Sequence, residues 1–250
     1  MIDPGSAAAT RLGVVLRSSK VAQVGEVVLV FLMAAIVVAA GWSFVGDNAL
    51  HRQAVVWVAN ILMLATIWGG LRVRGQGWAD LGLALQAGGL RAIFRTAIQA
   101  VIVLVLAVTT FIVGGLVMQN VVASGAGVDT SGYDYLRGNL PRLLMALAAV
   151  YVVSSFGEEV LYRGFLISRL QGILGAGRLA TVVSVFVSAL IFGLVHFDWG
   201  VVGVVQTSFM GLVFAAAYVI TRRNLWALVL AHAIMDTLLL IQVYGSAVSS

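Results

Sequence analysis

A chain of 250 residues in which 61% are apolar and only 10% charged lies far from the roughly 25% charge of a soluble globular domain, which excludes a water-soluble enzyme and leaves a polytopic membrane protein. The net charge of +5 does not imply nucleic acid as a partner, because the basic residues are scattered between apolar segments instead of forming one patch. With no cysteine in the chain, disulfides, thiolate metal ligands and a cysteine nucleophile are excluded together, and any chemistry must use Glu, His, Asp, Ser or Tyr.

A helix needs roughly 20 apolar residues to cross the hydrocarbon core. The first such stretch, 26–45, follows a polar segment, 1–24. Ala39 and Ala40 resemble a signal cleavage site, but the run is longer than a signal h-region and its leader is long, so it reads as an uncleaved anchor. A second span is predicted over 55–71. The connection from Arg72 to Ala92 places Trp78, Leu81, Leu83 and Leu85 between charged ends, the pattern of a short amphipathic helix lying in the interface. A third span covers 96–118, and the stretch from Gln119 to Pro141, rich in Gly, Ser, Asp and Tyr, reads as an outward loop, either flexible or covering a cavity. Four more spans follow over 143–165, 180–197, 201–220 and 225–244.

Lysine and arginine accumulate on the cytoplasmic side of a membrane protein. With the N-terminus inside, that side and its borders hold Arg11, Arg17, Lys20, Arg72, Arg74, Arg91, Arg95, Arg163, Arg169, Arg178, Arg222 and Arg223, and the outside keeps Arg52, Arg137 and Arg142. The expected fold is therefore all-α: one membrane domain over 1–250, a helix bundle of seven spans with a short interfacial helix, N-terminus cytoplasmic and C-terminus outside. An eighth span, made by splitting one of the runs, is the alternative. A single lysine, Lys20, and abundant Ala, Val and Gly are compatible with a high-GC bacterial genome, so the expected location is a bacterial cytoplasmic membrane.

Polar residues inside the spans concentrate in the last hundred residues. Glu158 and Glu159 sit in a mostly apolar run. A carboxylate at mid-bilayer costs about 3 kcal/mol on insertion scales, and two in succession repel each other. On a helix, residues four apart share a face, so Glu159 lies over Arg163 and can pair with it, while Glu158 projects elsewhere and stays uncommitted. A second group, Phe192 to His196, contains Gly193, which permits close helix approach. In the third, His232 and Asp236 share a face at the same four-residue spacing. Three polar faces on apolar helices must turn toward each other or toward water.

Taken singly, each has a bland reading. Glu159 with Arg163 is then an internal ion pair, Asp236 an orienter of His232, and a lone intramembrane histidine a satisfied helix contact. His51, in an outer loop near Asp47, is read as solvated. The coincidence of all three groups in one chain favours a site. The seven-span assignment places His196 near the outer end, Glu158 past mid-membrane toward the cytoplasm and His232 in the cytoplasmic half, so a common site requires shifted boundaries or a broken helix lining a cavity.

The three groups resemble, in order and spacing, the hallmark of the CPBP intramembrane proteases (CAAX proteases and bacteriocin-processing enzymes, also called the Abi family): Glu-Glu-x-x-x-Arg at Glu158, Glu159 and Arg163, Phe-x-x-x-His at Phe192 and His196, and His-x-x-x-Asn or Asp at His232 and Asp236. The resemblance covers about 143–244, the motif-bearing core, and Trp78 to Leu83 looks like an upstream family feature. It implies an endopeptidase that cleaves membrane-associated peptides or proteins within or beside the bilayer, with Glu158, Glu159, Arg163, His196, His232 and Asp236 as its catalytic set.

Amide hydrolysis needs an activated water, a stabilised oxyanion and a proton for the leaving amine. Glu158 is the expected general base, with His196 holding or polarising the water. Asp236 orients His232, binds a metal or works protonated. His196 and His232 with a carboxylate are also the expected ligands if Zn2+ or another divalent metal is bound, and a metal-free site from the same residues is equally coherent. The rival reading, a proton- or ion-coupled transporter, requires ionisable groups spread through several spans, whereas the first three spans carry only Glu26 and Arg95 near their ends. A non-catalytic membrane scaffold of the same fold is the remaining alternative.

Overall fold

The computed structural model describes residues 10–84, 89–121, 127–175 and 177–246. Residues 1–9 of the polar N-terminal segment, Leu85 of the amphipathic stretch and 122–126 of the outward loop lie outside the described residues.

Eight helices follow one another without a strand among the described residues: α1 (Arg11–Ser18), α2 (Lys20–Val45), α3 (Ala49–Val73), α4 (Gly89–Gln119), α5 (Leu140–Leu174), α6 (Arg178–Leu194), α7 (Gly200–Ile220) and α8 (Leu225–Gly245). From α2 onward each corresponds to one predicted span. Six are long and apolar enough to cross a membrane, and α6, with 17 residues, is the short one. At 1.5 Å per residue it covers about 25 Å of a hydrocarbon core about 30 Å thick. Large apolar side chains such as Val28, Leu32, Ile102, Leu106 and Phe186 face outward, a pattern that lipid, not water, accommodates. The chain is an integral membrane protein.

Inside-out chemistry is clearest in α2. Its buried residues are Gln23, Glu26 and Val30, while Val21, Val24, Val28, Leu29 and Leu32 point away from the bundle. Glu26 is held by Arg74 of α3 at 2.6 Å and by Arg169 of α5 at 2.8 Å, a three-helix ion cluster at the end of the bundle where α2 begins and α3 and α5 end. Ionisable groups at such depth persist only when paired. The sequence placed Glu26 near a span end but gave no sign of these partners. α1, which no hydrophobic run announced, caps the cluster: Thr10 accepts from the backbone of Gly13 to start the helix, and Arg17 donates to the carbonyl of Arg74.

Between α3 and α4, the predicted amphipathic helix is a single 3-10 turn, Trp78–Leu81, and it belongs to the bundle instead of lying flat on it. Leu81 is buried against Gly164 of α5, where a Cβ would sit 3.1 Å from the leucine's own. The carbonyls of Leu81 and Leu83 accept from the hydroxyl of Tyr218 and the indole of Trp226. Trp78 stacks on Trp68 and meets the edge of Phe156. This segment therefore props the middle of α5 from outside.

α5 is not uniformly α-helical. Tyr151–Phe156 and Glu159–Leu166 are π-helical, and only Gly157 and Glu158 between them keep the tighter winding. π turns are rare and gather at functional sites. Facing them, α6 and α7 cross closely because Gly193 and Gly211 have no side chain: a Cβ on Gly193 would lie 2.7 Å from the carbonyl oxygen of Val204, and one on Gly211 would lie 2.9 Å from the Phe192 ring.

Candidate active site

Glu159 is the anchor of the polar interior. Its side chain and that of Arg163 are both 0% exposed, and Oε1 accepts from Nη1 of Arg163 at 2.9 Å, as the four-residue spacing predicts. The same oxygen also receives Nδ1 of His232, on α8, at 2.8 Å. The guanidinium lies 4.2 Å from the centre of the Phe192 ring and 5.1 Å from that of Phe214, so its positive charge is sandwiched by aromatic faces. A buried charge pair left half-satisfied would be costly. Here the surrounding rings and a third partner offset part of that cost.

With Nδ1 of His232 donating to a carboxylate, Nε2 is directed elsewhere. It faces Oε2 of Glu158 at 3.8 Å and Oδ1 of Asp236 at 3.6 Å. Neither distance is a hydrogen bond. The carboxylate hydrogen-bonded to His232 is thus that of Glu159, with Asp236 standing at the longer distance on the other side of the ring. Asp236 instead accepts from the hydroxyl of Ser155 at 2.7 Å, a partner on α5 that no motif indicated. Glu158 Oε2 is shielded from solvent and takes no hydrogen bond from the protein.

His196 lies just past the end of α6. Its Nδ1 is 2.7 Å from the carbonyl oxygen of Phe192. A carbonyl only accepts, so Nδ1 carries the proton and Nε2 offers its lone pair. The bond folds the imidazole back along its own helix, toward the bundle interior. Phe192 then stands between the two imidazoles, 4.8 Å from the ring of His196 and 6.1 Å from that of His232. The depth conflict in the sequence reading is relieved by this backward turn together with the shortness of α6.

Glu158, His196, His232 and Asp236 line one cavity of about 610 Å³. Its other walls are largely apolar, including Trp57, Phe111, Met210 and Leu239, with Asn60, Ser154 and Thr207 as scattered polar groups. The outward loop covers it: Thr130, Tyr133 and Arg137 contribute to the lining, and Leu136 is buried with Leu143, Leu240 and Val243 so that the loop is fastened to α5 and α8. Glu159 and Arg163 sit behind this wall. A smaller cavity of about 370 Å³ shares Gln53, Val56, Tyr133 and Trp199 with the first and carries Asp47, Asp129 and Asp198.

The pair suggested as metal ligands, His196 and His232, does not join a carboxylate in a three-ligand set: among the described residues no group of three His, Cys, Asp or Glu side chains is arranged to hold a metal ion. Nδ1 of each histidine is already engaged, one by a backbone carbonyl and one by Glu159. These bonds orient the two rings and leave each Nε2 toward the cavity, as they would around a metal as well; no step of the chemistry below is routed through a metal.

A helical membrane bundle with two carboxylates and two imidazoles on the wall of one internal cavity defines the class of protein. Residues 140–238 match the family model described as Type II CAAX prenyl endopeptidase Rce1-like. All seven residues of the three motifs fall inside that stretch. Neither the curated proteins nor the solved structures contain a match.

Proposed function

We propose that this protein is an intramembrane endopeptidase that hydrolyses peptide bonds of membrane-associated peptides or proteins, using Glu158 to activate water. The observation that carries the reading is the shared cavity: Glu158 lines the same space as His196 and His232, and its Oε2 takes no hydrogen bond from the protein. Water placed between Glu158 and Nε2 of His196 would donate a proton to the carboxylate as its oxygen attacks the amide carbon. The same proton then passes from Glu158 to the departing amine, so one group serves as base and acid in turn. The developing oxyanion needs a fixed donor. Nε2–H of doubly protonated His232, held in place by Glu159 behind it, is the group positioned to supply one.

Positioned general acid–base groups contribute typically 10²–10⁴-fold. Glu158→Gln keeps the size and shape of the side chain but cannot take the proton, so cleavage should fall by about that factor while the protein inserts and purifies normally. Comparing membrane peptides in cells carrying the native and the Glu158→Gln forms identifies the substrates as species that accumulate uncut. Undiminished cleavage by the variant would refute the assignment. The charge distribution supports a cytoplasmic N-terminus in a bacterial cytoplasmic membrane.

A further inference from the structure

We infer that the site is entered from the extracytoplasmic face, so that its substrates are membrane-anchored segments whose scissile bond is exposed on the outer side of the bilayer. This rests on the hydrolase reading above and concerns the side from which that hydrolase works.

The bundle has two chemically distinct ends. One collects the start of α2 with the ends of α3 and α5 through Glu26, Arg74 and Arg169. The starts of α4 and α8 join it through Asn224, which donates to Thr96 and Gln99, and Leu225, which donates to Gly82. Arg223 ties the end of α7 to Gln171 there. Most of the lysine and arginine of the chain is at this end, with Arg163 in the interior and Arg52, Arg137 and Arg142 elsewhere. At the other end Trp42 meets Phe197, Asp129 donates its backbone N–H to Trp199, and Gly138 donates to Tyr244. Its charged side chains among the described residues are Arg52, Arg137 and Arg142 against Asp47, Asp129, Asp134 and Asp198. An end with as much acid as base opposite an end crowded with arginine is the outer end by the charge rule for membrane insertion.

The cavity runs from Glu158, near the middle of α5, to the second end alone. Gln53, Thr130, Tyr133, Arg137, Trp199 and Ser246 line it there. None of the residues that build the arginine-rich end lines it, and the floor on that side is closed by Glu159, Arg163 and the buried rings of Phe192 and Phe214. Water and peptide reaching Glu158 from the arginine-rich end would have to cross a sealed ion pair. From the other end they meet a wide, partly polar mouth.

The cysteine-free chain allows single thiols to be read without background. Gln53→Cys and Thr130→Cys report the mouth, and Arg222→Cys reports the opposite end. Intact cells are treated with a membrane-impermeant maleimide, and detergent-solubilised protein gives the total reactive thiol. The expected result is that the two mouth thiols react before the cells are opened, Arg222→Cys reacts only afterwards, and the labelled Gln53→Cys protein loses cleavage through blockage of the mouth. Reaction of Arg222→Cys in intact cells with protection of both mouth thiols would overturn the inference, as would full cleavage by labelled Gln53→Cys. Absence of any Glu158-dependent cleavage would instead remove the hydrolase reading, and the labelling pattern alone would still decide which end the cavity faces.

Discussion

Nδ1 of His232 donates to Oε1 of Glu159 at 2.8 Å, joining two helices whose contacting residues are 73 positions apart in sequence. The same oxygen holds Arg163, so one carboxylate fixes both the imidazole that faces the cavity and the guanidinium that seals its floor. Removing one partner of a buried pair costs about 3–5 kcal/mol because the other charge is stranded. Arg163→Ala should therefore lower stability by about that amount and abolish cleavage, measured as thermal unfolding and activity in the same detergent preparation. Loss of activity at native stability would show that Arg163 has a chemical role beyond holding Glu159.

Ser155 predicts a smaller, more selective effect. Its hydroxyl donates to Asp236 at 2.7 Å, and a hydrogen bond to a charged acceptor contributes about 1.5–3 kcal/mol. Ser155→Ala should lower stability by about that amount and slow turnover by freeing the Asp236 carboxylate to move, with Asp236→Asn showing a comparable loss of turnover. Steady-state rates on one peptide substrate compare the two; an unaffected Ser155→Ala enzyme would make Asp236 a bystander.

At the arginine-rich end the expectation is stability without chemistry. Glu26→Gln leaves Arg74 and Arg169 buried without their carboxylate, so unfolding should be easier by about 3–5 kcal/mol, while the folded fraction cleaves at the native rate. Unfolding curves and activity per folded molecule test both halves. A rate defect at full stability would connect this cluster to the cavity, whose lining includes none of its three residues.

Chelation bears on how the water is held. Nδ1 of each histidine is engaged within the protein, and in the mechanism proposed above the water depends on Glu158 and Nε2 of His196 alone. Dialysis against a chelator should leave cleavage unchanged, with elemental analysis of the active fraction showing less than one metal per chain. Loss of activity restored by a single added divalent ion would reverse that expectation.

Much of the architecture was legible because lipid imposes a strong and simple signal: each apolar run became one helix, and the four-residue spacing of Glu159 and Arg163 delivered the ion pair it promised. The motif residues also pointed to one place. What stayed hidden depended on pairings between distant segments. The His232–Glu159 bond, the Ser155–Asp236 bond and the Glu26 cluster join residues on different helices, and a one-dimensional period carries no information about which helices touch. The amphipathic pattern around Trp78 was real, yet its apolar side meets α5 and α8 instead of lipid, because Gly164 leaves room for Leu81. The π winding of α5 was equally silent, since no residue type marks it as proline marks a kink.

That winding has an evolutionary corollary. A wide turn holds more residues than the standard turn that would replace it, so losing one codon between Tyr151 and Phe156 would let the helix relax to ordinary geometry. Because the lost residue is taken out of the wide turn itself, the segments on either side would keep their relative facing, and Glu158 would stay on the chamber wall. A descendant shortened by one residue there would therefore keep signature and chamber alike, whereas the same loss in an evenly wound α-helical stretch would turn every later residue by about 100°.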